Sequence, residues 1–216
     1  MTIQYFGHSF LKLETKNGII AINPYLEEKL IKPPRFKADL LLISENSPFF
    51  NNKKAILGQP FTMEEPGEIE INHIFVKGIF NFSKKEDKEK EKISNIIFRI
   101  DVEDISLGII SDLKEKLVKD VLFEELSSLD ICFLPATKNS SLDVEMASSF
   151  LNQIEPKIFI PLFYHPLGFK KDLSDVYSNF FKEIKKKGEV LDKLTIKKNQ
   201  IPEETKIIIL KNLAIN

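Results

Sequence analysis

Cysteine is almost missing from this chain: the single Cys132 has no partner for an intramolecular disulfide and cannot by itself supply the thiolates of a zinc site. A reducing, cytoplasmic setting is therefore expected. Tryptophan is absent, and only three histidines occur, His8, His73 and His165, so any metal site must draw on these and on carboxylates. No run approaches the ~20 apolar residues a membrane span needs, and the opening MTIQYFGHSFLKLET lacks a basic segment followed by a long apolar core. Charge of one sign is also lacking: 31 Lys and Arg against 32 Asp and Glu leave a net charge of -1, which gives neither nucleic acid nor anionic lipid an attracting field. The GxSxG nucleophile elbow and the glycine-rich phosphate loops GxxxxGK[ST] and GxGxxG do not occur. What is present is a globular composition: 43% hydrophobic and 29% charged over 216 residues, which suffices for a buried core and excludes a disordered chain.

The first half reads as sheet. IQYF, SFLKLET and GIIAINPYL are short apolar or alternating runs, with Asn17-Gly18 as a tight hairpin turn, so the chain is expected to open as a β-meander. ADLLLISE follows the Pro33-Pro34 break as a buried strand, and IEINHIFVKGIF, ISNIIFRIDV and ISLGIISD continue in strand-like runs rich in β-branched and aromatic residues. Residues 84–92, KKEDKEKEK, hold five Lys and four acidic residues with nothing apolar to bury, and read as a solvated loop. The second half alternates. KEKLVKDVLFEEL, SLDVEMASSFLNQIEP (with Ser141 or Asp143 near its start) and LSDVYSNFFKEIKKKG have helical period, while LDICFLP, KIFIPLFY and TKIIILKNL read as strands. No linker-like stretch divides the chain, so one layered α/β domain over residues 1–216 is expected.

Few residues stand out chemically. His73, in EINHIF, reads as a solvent-facing strand residue and is set aside. His8 and His165 stand at the ends of strands, where sites collect in layered α/β proteins, although a structural role suits either. Cys132 lies inside ICFLP and reads as a small buried hydrophobe. The basic stretch KEIKKKG is offset by acids elsewhere and reads as a solvated helix end, not a nucleic-acid contact.

Taken in order, several segments resemble the metallo-beta-lactamase superfamily, in particular its small bacterial and archaeal metal-dependent hydrolase branch. YFGHSFLKLETKNGIIAINPYL is similar to the branch's start, a strand ending in Gly-His-Ser and then one ending in Asp-Pro, with Asn23 in place of that Asp. EEPGEIEINHIFVKGIF resembles its Pro-Gly-Glu-x-Glu segment, and ISNIIFRIDVEDISLGIISDL its two strands ending in a Gly-Asp turn, occupied here by Ser111-Asp112. LDICFLP, IEPKIFIPLFY and LDKLTIKKNQIPEETKIIIL are similar to its closing strands and tail. The resemblance spans nearly the whole chain and implies an αββα sandwich, two mixed β-sheets flanked by helices.

It also implies where metal ligands belong. The signature HxHxDH falls on ENSPFF, so Glu45 and Ser47 take the first two histidine positions, Phe49 the aspartate position and Phe50 the last histidine position. A further ligand histidine falls on Ser83 and the final one on Phe163, while Asp112, which in the family bridges two metals, remains. Phe has no lone pair for a metal and Ser is a poor neutral ligand, so a dinuclear zinc site, with its acidified water and Lewis acid, is expected to be lost. If buried, the three phenylalanines would each gain roughly 1.5 to 3 kcal/mol. The resemblance thus points to a non-catalytic pseudoenzyme with no cofactor, acting by binding. Its expected partner is a protein, a small ligand or a second copy of the chain, and neither a membrane nor nucleic acid. The alternative is a metal-dependent hydrolase rebuilt around one weakly held Mn²⁺ or Mg²⁺, drawing on Glu45 and Asp112 with His8 or His165.

Overall fold

The computed structural model describes residues 1–27, 32–82, 94–111, 124–135, 144–162 and 188–214. The opening meander forms as its alternation requires: β1 (Thr2–Tyr5), β2 (Leu11–Thr15) and β3 (Gly18–Ile22) pair antiparallel in sequence. Its turn lies one residue earlier than expected, at Lys16-Asn17, and Gly18 opens β3 opposite Thr15. The cause is Thr15, whose Oγ1 donates to the Gly18 carbonyl at 2.8 Å and accepts the Asn17 N–H at 3.1 Å, closing the turn locally. Gly18 sits at φ 147°, and a Cβ there would come to 3.0 Å from the Asp39 carboxylate oxygen that accepts the Ile19 N–H.

Two parallel strands, β5 (Leu40–Leu42) and β7 (Phe61–Met63), extend this sheet beyond β3, and β15 (Leu194–Thr195) adds antiparallel to β1. A six-stranded mixed sheet results, ordered β15-β1-β2-β3-β5-β7. The second sheet has eight strands. Its antiparallel half runs β8 (Gly67–Ile71), β9 (Ile74–Phe82), β10 (Ser94–Val102) and β11 (Ile105–Ile109). The parallel half continues through β12 (Ile131–Pro135), β13 (Ile158–Leu162) and β16 (Lys206–Leu210) to β14 (Gly188–Leu191) at the edge. The run IEINHIFVKGIF is therefore a hairpin and not one strand. Asn72 and His73 form its two-residue turn at φ 51° and 60°, the left-handed pair that matches the twist of the flanking strands, and Ile71 pairs with Ile74. His73 is solvent-facing as expected, with a side chain 88% exposed, but as a turn residue. Glu103 and Asp104 repeat this geometry between β10 and β11.

The main core lies between the sheets. Ile3, Leu11, Leu13, Ile20, Ile22, Leu40 and Leu42 from the first meet Val76, Phe98, Ile100, Leu107, Ile109, Phe133 and Ile160 from the second. On the outer face of the second sheet, α1 (Val144–Ile154) seats Ala147, Phe150, Leu151 and Ile154 against Cys132, Leu134 and Phe159. Gly108 makes that layer possible, because a Cβ there would come within 2.4 Å of Leu129 Cδ1. The outer face of the first sheet carries an aromatic cluster, with Phe10 stacked on Phe36 at 5.8 Å and tilted against Phe6 at 5.2 Å. The expected helices at 114–126 and over LSDVYSNFFKEIKKKG, the start of the 141–156 helix and the charged stretch 84–92 lie wholly or mostly outside the described residues. At the turn end of the sandwich the Met1 ammonium meets Glu103 Oε2 at 2.9 Å while Glu103 Oε1 accepts the Lys16 N–H at 2.7 Å, joining one sheet to the other.

Candidate functional site

Three apolar strand runs end in a small polar residue: GIIAIN at Asn23, LLLIS at Ser44 and GIIS at Ser111. The first two follow β3 and β5 of one sheet and the third follows β11 of the other, so the carboxyl ends of these strands meet at one end of the sandwich. Asn23 holds them together. Its Oδ1 accepts the Ser44 N–H at 2.8 Å, and its Nδ2 donates to Ser111 Oγ at 2.6 Å and to Ser9 Oγ, just past β1, at 3.2 Å. Asn23, Ser9 and Ser111 are fully buried and Ser44 is 2% exposed. The Ser44 carbonyl accepts the Ile96 N–H of β10 at 2.8 Å, a second tie between the sheets. Asn23 is at φ 50°, a left-handed conformation that Asn adopts more readily than most residues.

His8 stands beside this seam in the Gly7-His8-Ser9 turn. Gly7 is required there, at φ 97° and with Asn212 Nδ2 only 2.6 Å from where a Cβ would be. The imidazole of His8 packs edge-on against Tyr25 at 5.0 Å and tilted against Phe49 at 5.4 Å. Burial lowers its pKa below the ordinary value by disfavouring the charged imidazolium.

The loop carrying the signature positions, residues 45–50, winds on itself: the Ser47 carbonyl accepts the N–H groups of Phe50 and Asn51, both at 3.0 Å, and the Pro48 carbonyl accepts the Leu26 N–H at 2.8 Å. Glu45 and Ser47 are half-buried. Phe50 is buried at 6% exposure, whereas Phe49 is 47% exposed, so only one of these two rings has become packing. Ser83, Asp112, Phe163 and His165 lie outside the described residues. Of the proposed site residues the structure thus gathers His8 and Phe49 in direct contact at the end of the sandwich that carries the 45–50 loop. Among the described residues no group of three His, Cys, Asp or Glu is placed to hold a metal ion, and no helix is long and apolar enough to cross a membrane. Cys132 is fully buried, which pushes its thiol up to about 12.

The cluster of Ser9, Asn23, Ser44 and Ser111 escaped sequence reasoning as a unit. Its signal was the polar residue, Asn23, Ser44 or Ser111, that closes each of three otherwise apolar strand runs, which periodicity alone reads as the end of a strand.

Two mixed sheets packed face to face, with polar groups collected past the carboxyl ends of β3, β5 and β11, define the sandwich architecture of metallo-beta-lactamase-like proteins. The chain belongs to that superfamily: the family model described as "Beta-lactamase superfamily domain" matches residues 2–163. A UPF0173 metal-dependent hydrolase of Bacillus mycoides (strain KBAB4) is 25% identical over 202 residues, covering 76% of this chain and 86% of the relative. A counterpart in Bacillus cereus (strain AH187) is 24% identical over the same shares. Among solved structures, a Thermotoga maritima protein described as a Zn-dependent hydrolase of the metallo-beta-lactamase superfamily matches with a TM-score of 0.77 over 97% of each chain at 20% identity. A metallo hydrolase of Ignicoccus hospitalis matches with 0.63 at 14% identity, over 91% of this chain and 99% of its own. These structural likenesses are likenesses of fold.

Proposed function

We propose that this chain is a metallo-beta-lactamase-fold protein without the dinuclear metal chemistry of the superfamily, acting by binding a protein or small ligand at the Asn23 end of the sandwich. The observation that supports this reading is the chemistry of the 45–50 loop. Aligned with HxHxDH it offers Glu45, Ser47, Phe49 and Phe50, and two phenyl rings and a neutral hydroxyl do not fit a two-zinc centre. Without such a centre there is no acidified water to attack a substrate, and what the end of the sandwich offers is a half-exposed ring at Phe49 packed against His8. The site's partner is expected to be a protein, a second copy or a small molecule.

One observation favours a second reading. The relatives are named metal-dependent hydrolases, and a carboxylate at position 45 suits a hard cation such as Mn²⁺ or Mg²⁺ held through oxygens with Asp112 and His8 or His165. Metal content measured by mass spectrometry on untagged protein, beside a Glu45→Ala/Asp112→Ala double variant, separates the two. The binding reading expects less than about a tenth of an equivalent in both proteins. Stoichiometric metal that disappears in the double variant establishes the rebuilt site instead.

A further inference from the structure

We infer that the chain carries a second small-molecule site, remote from Asn23, for an alkylammonium compound: a protonated amine with a short apolar tail. β12, β13 and β16 run parallel with β11, whose carboxyl end leads to Ser111, so β13 and β16 enter their sheet at the opposite end of the sandwich. A cavity of about 380 Å³ opens there beside the last turn of α1, a size typical of small-ligand pockets. Its apolar lining is Leu151 from α1, Phe159 from β13 and Ile207 from β16, all core side chains. Its polar lining includes three exposed carboxylates, Glu155 just past α1 and Glu203 and Glu204 in the approach to β16.

Charge decides which ligand suits this lining. Glu155 and Glu204 flank the bond in which Thr205 Oγ1 donates to the Pro156 carbonyl at 2.8 Å, which draws their two segments together. Among the described residues none of the three carboxylates forms an ion pair, and the one cation in the lining, Lys157, gives its Nζ to the Glu203 backbone carbonyl at 2.8 Å. α1 adds negative potential of its own. Pro156 has no N–H, those of Lys157 and Ile158 go to the Leu129 and Asp130 carbonyls, and that of Glu155 goes to the Leu151 carbonyl. The carbonyls of Asn152, Gln153 and Ile154 therefore end the helix without the N–H groups of a further turn, and no basic residue stands in the last turn to offset its dipole. An ammonium group answers both the carboxylates and the helix end, while its tail covers the apolar lining. An anion is repelled by the same groups, and a bare metal ion gains nothing from Leu151, Phe159 and Ile207.

NMR titration of the whole protein at pH 7 with hexylamine, 1-hexanol, hexanoate and methylamine tests the two requirements separately. Hexylamine is expected to bind about fivefold more tightly than 1-hexanol, the worth of a few partly screened charge contacts, with hexanoate weaker than either. Methylamine, which keeps the charge and lacks the tail, is expected to be at least about tenfold weaker than hexylamine. Glu155→Gln and Glu204→Gln, at exposed positions where the fold is not at stake, should each weaken hexylamine about threefold and leave 1-hexanol unchanged. The shifted amides should be those of α1's last turn, residues 157–159 and residues 203–207. The inference is overturned if 1-hexanol or hexanoate matches hexylamine, if methylamine matches it, or if the shifts fall elsewhere. It is equally overturned if both variants bind hexylamine like the wild type, or if no shift saturates up to about 10 mM hexylamine. None of these results bears on metal or ligand at the Asn23 end, which stands apart from this cavity.

Discussion

Replacing Asn23 with Ala removes one side chain and releases three hydrogen bonds at the junction of the two sheets. The Ser44 N–H is left buried without its acceptor, a loss of about 1 to 3 kcal/mol, and the two serine hydroxyls lose their donor for roughly 0.5 to 1 kcal/mol each. The backbone adds to this: at φ 50° Ala pays the left-handed penalty that Asn partly escapes, about 1 kcal/mol. The sum is a destabilisation of roughly 3 to 6 kcal/mol, a large part of the 5 to 15 kcal/mol typical of a folded domain. Asn23→Gly separates the two parts, since it deletes the same hydrogen bonds and relieves the conformation, and it should be about 1 kcal/mol more stable than Asn23→Ala. Urea denaturation followed by far-ultraviolet circular dichroism is the suitable assay, because the chain has no Trp to report by fluorescence. A fall in midpoint with an unchanged slope is the expected signature. If Asn23→Ala shifts stability by less than about 1 kcal/mol, or if Gly is as poor as Ala, the seam does not carry the load assigned to it.

Three further predictions concern other parts of the molecule. Phe50→Ala, at a buried ring, should cost about 3 to 5 kcal/mol, and Phe49→Ala, at a half-exposed one, less than about 1.5 kcal/mol; equal costs in the same urea assay would refute the assignment of only one ring to packing. Burial opposes ionisation of Glu103, but the Lys16 N–H and the Met1 ammonium outweigh it and hold the carboxyl below its usual 4.5. Its stabilisation is therefore complete above that value and is lost as pH falls through the lower folded value, so the stability gap between the wild type and Glu103→Gln seen at neutral pH should close in acid; a gap that persists fully at about pH 2 refutes the clamp. Cys132, with its thiol near 12, should resist a disulfide reagent at pH 8 while the protein is folded and react at once in denaturant, and prompt reaction of the native protein would contradict its burial.

The strands were legible because their apolar residues recur with strand spacing or run unbroken, and the expected strand segments are found where their residues are described, with IEINHIFVKGIF divided into two. Asn72-His73 was not legible as a turn. The apolar residues on either side keep the run looking continuous, and nothing in EINHIF except the tolerance of Asn for positive φ marks the reversal. The Asn17-Gly18 turn was misplaced by one position because Thr15 closes the loop from outside the dipeptide that the rule inspects. β4 (Phe36–Lys37) and β6 (Ile56–Leu57), two residues each, are too short to show any period and exist because they pair with one another. At the site, the residues that fall on the ligand positions came from the resemblance, and of these the structure describes Glu45, Ser47, Phe49 and Phe50. The seam was not, because hydrogen bonds joining Ser9, Asn23, Ser44 and Ser111 cross up to 88 positions of sequence and only the paired sheets bring them together.

The sandwich is stitched at both ends: by Asn23 with Ser111 and by Ser44 with Ile96 where the parallel strands finish, and by Glu103 with Met1 and Lys16 where the hairpins turn. Sheets fastened at a single end can part like a book, letting solvent reach the inner amides without unravelling the strands. Fastened at two, they have no free cover to lift. Deuterium should therefore enter β2, β10 and β11 together, at the rate of complete unfolding, while the short outer strands β7 and β15 exchange far sooner.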